Sequence, residues 1–213
     1  MKLKIISFGS NDEYIKLAER TVQSVNNLYS KSETKVFKPK DLPNEINNYA
    51  KTYRKGYGYW IWKPYIVKKA LSTVNENDIL LYVDGRSGLR QIGKPIRWLD
   101  EFIMQNQFDI ASWQMIHKEM SWTNGDIISA FNLDLNSELL KTGQFAATFH
   151  AWRKNIRSLN FLNEWLDFLL DNREICRDDD STQLNHKKFI GNRHDQSVFS
   201  LMVKTKISKN DST

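Results

Sequence analysis

The run Ile79-Leu80-Leu81-Tyr82-Val83, closed by Asp84-Gly85, constrains the fold more than any other stretch of the chain. Five successive apolar or aromatic residues, rich in β-formers, do not alternate between a wet and a dry face. They predict a strand buried on both sides. The Asp-Gly pair predicts a turn directly after it. A carboxylate at the carboxyl end of a central strand stands where open α/β sheets hold their ligands. Asp84 is therefore a candidate for chemistry, although starting the turn would explain it equally well.

The other segments fit around that strand. Lys2 to Phe8 reads as a first strand ending at Gly9. Ser10-Asn11-Asp12-Glu13 then forms a capping-box pattern with Ser10 as N-cap. Tyr14, Leu17, Ala18, Val22, Val25 and Leu28 recur at helical spacing. A loop of this kind before a helix can hold a phosphate, or can be a plain connection. Lys35 to Phe37 is a short strand candidate, and Asn44 to Lys55 is polar without a clear period. The segment Gly56-Tyr57-Gly58-Tyr59-Trp60-Ile61-Trp62-Lys63-Pro64 is densely aromatic. Pro64 predicts the first turn of a helix reaching about Ser72, with Ile66, Val67, Ala70 and Leu71 inward. Trp60 and Trp62 are expected to pack under the sheet, whereas Tyr57, Tyr59 and Lys63 have the chemistry to face a ligand.

Beyond the central strand come a loop from Gly85 to Lys94, a helix over Pro95 to Gln105 (Ile96, Leu99, Phe102 and Ile103 in phase) and a strand over Phe108 to Trp113. Thr123-Asn124-Gly125-Asp126 offers a second N-cap, leading into a short helix through Phe131. Gln144 to Trp152 reads as a strand whose small residues Ala146 and Ala147 permit close approach. Asn160 to Asn172 is amphipathic, and Arg173 to Lys188 is a polar loop carrying Asp178-Asp179-Asp180. Asn192 to Leu201 leads into a helix with Val198, Phe199, Leu201 and Met202 inward. Lys204 to Thr213 looks like the start of an element cut short, which predicts either that the chain continues or that its tail is disordered. The expected whole is one α/β domain with a mixed, mostly parallel sheet of about six strands.

Composition narrows the classes. With 213 residues, 40% hydrophobic and 26% charged, the chain can bury a sizeable core. No apolar run reaches the roughly 18 to 20 residues of a membrane span. The lone Cys176 excludes an internal disulfide and a cysteine-rich zinc site, and fits a reducing compartment such as the cytoplasm. The net charge of +6 favours an anionic partner weakly, with the lysines scattered. The 7 Trp, 8 Tyr and 11 Phe are more telling, since sugar and base sites use flat rings. His117 and His150 read as packing or surface residues, and Trp113 and Trp122 as core, with an acceptor platform as the alternative for the two tryptophans.

The order of these pieces resembles the GT-A-fold glycosyltransferases, in particular the retaining, glycogenin-like group that uses UDP-sugars. The likeness covers residues 1 to about 203. It implies that Asp12 and Tyr14, beside Phe8, Gly9 and Ser10, hold the uracil. It implies that Asp84 matches the first aspartate of the Asp-x-Asp motif, which binds manganese or magnesium across the donor diphosphate. Arg86 stands where the second aspartate belongs, and suits a direct pairing with phosphate. Tyr57, Lys63 and Gly85 join the donor-binding set. Asp195 and Gln196 match a late Asp-Gln pair beside the anomeric carbon, and Gln144, Ala146 and Ala147 match the strand lining the sugar pocket. The family's C-terminal metal-binding histidine has no counterpart after Ser200; His194 is nearest by position.

The implied reaction is metal-assisted transfer of a hexose or deoxyhexose from a UDP-sugar to a glycan or glycoprotein hydroxyl. Asp195, Gln196 and Arg86 would serve the chemistry, in a monomer with no membrane span and no nucleic-acid partner, in the cytoplasm (the host's, for a viral chain). Asp84 and Asp195 also imitate a glycosidase pair. The rival from another class is a glycan- or nucleic-acid-binding module without chemistry, which the basic balance and aromatic rings motivate.

Overall fold

The computed structural model describes residues 1–29, 32–86, 95–105 and 108–210, apart from the side chains of 95–98 and 207–210. The loop expected from Gly85 to Lys94 lies outside the described residues beyond Arg86, and the inward role of Ile96 does so too. Five strands form one open sheet: β1 Leu3–Phe8, β2 Glu33–Phe37, β3 Ile79–Val83, β4 Ile110–Lys118 and β5 Gly143–Arg153. Their order is β2-β1-β3-β5-β4. β1 runs parallel to β2 and β3, while β5 runs antiparallel to β3 and β4. Among the described residues the sheet thus has five strands, not six, and its parallel pairing is confined to one half. Alternation along a strand says nothing about its direction, which the returning connection decides.

β3 is central, and all five of its residues are buried. Leu80 and Tyr82 belong to the core shared with Ile66, Val67, Trp165 and Phe199. Ile79, Leu81 and Val83 belong to the core shared with Val22, Val25, Leu99 and Phe102 on the other face. The helices that cover the two faces are α1 (Asp12–Asn26), α2 (Asn44–Thr52), α3 (Lys63–Leu71), α4 (Pro95–Met104), α5 (Gly125–Ala130), α6 (Ile156–Asp171) and α7 (Asp195–Asn210). Two-sided cover is what an unbroken apolar strand requires, at about 1.5–3 kcal/mol for each large side chain removed from water.

Several local expectations are corrected. The N-cap of α1 is Asn11, whose Oδ1 accepts the Tyr14 N–H at 3.0 Å, and not Ser10. The chain turns so tightly after Gly9 that a Cβ there would lie 2.5 Å from the Ile15 backbone. Leu28 falls past the end of α1 and is exposed. The polar stretch from Asn44 forms α2, with Ile46, Tyr49 and Ala50 buried on one stripe. Lys204 to Asn210 is the continuation of α7 rather than a new element, because Lys204 reaches inward to buried Glu119 at 2.7 Å. Other expectations hold: Pro64 lies in the first turn of α3, the N-cap expected in Thr123-Asn124-Gly125-Asp126 is Asn124, and Val198, Phe199, Leu201 and Met202 are buried. No helix among the described residues is long and apolar enough to cross a membrane.

Where β4 and β5 cross at Gly143, a Cβ would stand 1.6 Å from the Met115 carbonyl oxygen. Gly143→Ala is expected to cost on the order of 3 kcal/mol through forced backbone movement. Urea denaturation checks this, and an unchanged midpoint would refute the close approach.

Candidate functional site at the carboxyl ends of the parallel strands

A cleft of about 480 Å³ opens where β1 and β3 end. Phe8, Ser10 and Tyr14 contribute from the β1 side, and Tyr82, Asp84, Gly85 and Arg86 from the β3 side. The far wall is Arg54, Lys55, Gly56, Tyr57, Trp60 and Trp62. Six aromatic rings and three cations thus surround a single carboxylate. Phe8 and Trp62 stack with their ring centroids 4.0 Å apart, and the Arg86 guanidinium lies 4.7 Å over the Tyr14 ring.

The far wall is built by an unusual backbone. Gly56, Tyr57, Gly58, Tyr59 and Trp60 all have positive φ, from 52° to 82°. They form a turn of left-handed sense, in which the Tyr59 N–H donates to Lys55 O at 2.7 Å. Each of the three non-glycine residues stores on the order of 1–3 kcal/mol of strain, a kind that collects at ligand sites. The surroundings hold the turn in place. The Trp62 indole N–H donates to Gly56 O at 3.0 Å, and the Tyr57 hydroxyl donates to Asn47 Oδ1 at 3.0 Å.

Beneath the cleft lies a buried charge chain. The Lys63 ammonium sits 2.7 Å from Asp195 Oδ2 and 3.8 Å from Asp84 Oδ1. Lys63 and Asp195 are only 2% and 3% exposed, so water contributes little to their solvation. Pro64 starts α3 and thereby fixes where Lys63 points; the first residue of α7 supplies Asp195. Burial pushes the Asp195 carboxyl up to about 6, against the downward pull of Lys63. The Tyr82 hydroxyl donates to Asp84 Oδ1. Burial first, and the Asp84 charge next, hold that phenol well above its ordinary range. His150 stacks on Tyr82 at 4.8 Å and is kept neutral by burial.

The structure distributes the sequence candidates unevenly. Phe8, Ser10, Tyr14, Tyr57, Asp84, Gly85 and Arg86 line the cleft, with Lys63 and Asp195 just under its floor. Gly9 is buried against α1, and Asp12 is exposed on the first turn of that helix. Gln196, Gln144 and Ala147 form an internal relay. The Ala147 N–H donates to Gln196 Oε1 at 3.3 Å, and the Gln196 amide donates to Gln144 Oε1 at 2.8 Å. Gln144 in turn reaches Glu119, Thr123 and Ser197. Ala146 is buried on the same strand. His194 turns to Cys176 O at 2.7 Å and lies 3.5 Å from Asp178, stacked behind Trp60. Asp178 itself pairs with Lys55 at 2.7 Å. Cys176 is buried and its thiol is pushed far up, so it is inert.

Arg54, Lys55, Trp60, Trp62 and Tyr82 line the cleft without having been sequence candidates. For the first four the signal was the clustering of basic and aromatic residues from Tyr53 to Lys63, in which the tryptophans read as core; Tyr82 read as part of the buried central strand. Trp62 is in fact both, buried against Phe8 while its ring walls the cleft.

The donor set at Asp84 does not fit the divalent cation that the resemblance implies. One Asp84 oxygen already accepts from Tyr82 and faces the Lys63 ammonium at 3.8 Å. Among the described residues no three His, Cys, Asp or Glu side chains converge to hold a metal. From Gly85 to Leu99 the sequence contains none of those four residue types. Hard divalent ions collect several oxygen ligands, commonly more than one carboxylate. Here the Lys63 ammonium already stands between Asp84 and Asp195, and Asp84 is the one carboxylate among the cleft-lining residues.

Compared with known proteins, the chain matches no family model, and no curated protein matches it either. Its class therefore rests on its own geometry: an open, mixed α/β sheet with an aromatic, basic cleft at the carboxyl ends of its parallel strands.

Proposed function

We propose that the protein is a glycosyltransferase that moves a hexose or deoxyhexose from a UDP-sugar to a hydroxyl of a glycan or glycoprotein, with retention of configuration. The observation that carries this reading is the composition of the cleft, in which six rings and three cations surround one carboxylate. A nucleotide sugar presents the matching parts: a flat base, a diphosphate and a sugar on which positive charge develops. Rings such as Phe8, Trp62 and Tyr14 suit stacking on a base. The guanidinium of Arg86 suits paired hydrogen bonds to phosphate oxygens. Asp84 suits the sugar, where a carboxylate stabilises the anomeric carbon as it becomes cationic.

In the step itself the bond between the anomeric carbon and the diphosphate oxygen breaks, and its electron pair leaves with the diphosphate. The acceptor oxygen bonds to the same carbon, and its proton passes to the departing diphosphate. Asp195 and Lys63 lie too deep to touch the sugar and act by fixing Asp84. Gln196 is committed to Ala147 and Gln144, so its part is to position α7 against β5.

The test is a panel of nucleoside diphosphate sugars, with release of the free nucleotide followed in the presence of mixed glycan acceptors. Release of UDP from a UDP-hexose is expected. Tight glycan binding without turnover of any donor would favour a binding module and sink the enzyme reading.

A further inference from the structure

We infer that this cleft grips a nucleoside diphosphate without a divalent metal, because Lys63 occupies the seat beside Asp84 that a cation would need and Arg86 and Arg54 face the phosphates instead. The inference rests on the nucleotide-sugar reading above and specifies how the charged part of that ligand is held.

Three observations carry it. First, the Lys63 ammonium is wedged between two carboxylates, 2.7 Å from Asp195 and 3.8 Å from Asp84, and lies 5.3 Å over the Tyr82 ring. A cation bound to Asp84 Oδ1 would stand beside a fixed positive charge, where mutual repulsion is strong because little water screens it. Second, the cleft's own charges are Arg54, Lys55 and Arg86 against Asp84 alone, the polarity of an anion site. Lys55 is already paired with Asp178, which leaves the two arginines as the cleft's guanidinium forks. Third, Arg86, two residues from Asp84, holds its guanidinium 4.7 Å over the Tyr14 ring at the cleft, so a cation and not a carboxylate stands next to Asp84 along the chain's exit from β3.

The division of labour follows. Asp84 is neutralised from below by Lys63, and the negative charge of the diphosphate is met from the cleft side by Arg86 and Arg54. Lys63 is a positioning residue in this scheme, since it is buried and does not line the cleft.

The experiment is calorimetric titration of the full chain with UDP and with uridine, each in EDTA and in millimolar manganese. UDP is expected to bind in EDTA with a Kd within about threefold of its value in manganese. Arg86→Ala is expected to weaken UDP by tenfold or more while changing uridine by less than threefold; Arg54→Ala should do the same to a smaller degree. Both arginines are at the cleft surface, so the variants keep the core intact. UDP binding that needs manganese, or that tightens tenfold or more with it, overturns this inference and leaves the transferase reading standing. UDP binding in neither buffer overturns both. An Arg86→Ala variant that binds UDP as well as the parent overturns the assignment of the phosphate to that residue.

Discussion

Lys63→Met is expected to destabilise the protein by about 3–5 kcal/mol near pH 8, the cost of breaking a buried ion pair from one side. Methionine keeps most of the stem packed, so the loss is chiefly electrostatic. Lys63 is 2% exposed and its closest partner, Asp195, 3% exposed, which leaves the Asp195 carboxylate without a counter-charge in a dry site. The pH dependence has a definite sign. Asp195 titrates at about 6 in the fold against 3.8 ordinarily, so its folded-state value is raised. Its protonation therefore stabilises the fold fully below about pH 4, and that contribution is lost as pH rises through 6. Protonated Asp195 needs no partner, and the defect of Lys63→Met should be smaller at pH 5 than at pH 8. Urea denaturation at the two pH values measures both. If the single variant does not fold at pH 8, Lys63→Met combined with Asp195→Leu should recover a large part of the loss, because an apolar pair of similar volume leaves no stranded charge. Equal defects at pH 5 and pH 8 would contradict the pairing.

Asp84→Asn is expected to lower kcat by about 10²–10³ while changing the Kd for UDP by less than threefold, the size of effect seen when one preorganised electrostatic group is removed from a reacting centre. Asp84 is the one carboxylate among the residues lining the cleft, and the Tyr82 hydroxyl and the Lys63 ammonium fix its orientation. Asparagine preserves the shape and can still accept the Tyr82 hydrogen bond, so the fold should survive. A carboxylate that faces the transferred sugar lowers the barrier without contributing to nucleotide affinity. If Asp84 instead held a metal bridging the diphosphate, UDP affinity would collapse together with kcat. Steady-state kinetics alongside UDP titration separates these outcomes, and normal turnover by Asp84→Asn would remove this residue from the chemistry.

Much of the framework was legible in the sequence because it follows from local rules. Ile79 to Val83 could only be a strand covered on both faces, and the two cores around Leu80 and Leu81 are that cover. Pro64 marked the start of α3 and the Thr123-Asn124-Gly125-Asp126 run that of α5, since proline lacks, and an N-cap side chain satisfies, an unpaired donor of a first helical turn. Asp84 was found for the same reason, as it is the residue that ends the central strand.

What the tertiary structure decided is everything that depends on residues distant in sequence. The direction of β5, and with it the loss of the mostly parallel sheet, depends on how the chain returns from β4. The left-handed turn from Gly56 to Trp60 is tolerated only because Trp62, Asn47 and Phe8 surround it. The resemblance implied a place beside the sugar for Gln144 and Gln196, yet burial obliges each to spend its amide on a neighbour. Lys63, Asp84 and Asp195 are separated by 21 and 111 residues in the chain, and no spacing rule joins them. They meet because the amino end of α3, the carboxyl end of β3 and the amino end of α7 converge under one cleft. There the buried ammonium and the buried Asp195 carboxylate must pair, since neither can be left alone out of water, and Asp84 meets them from the cleft.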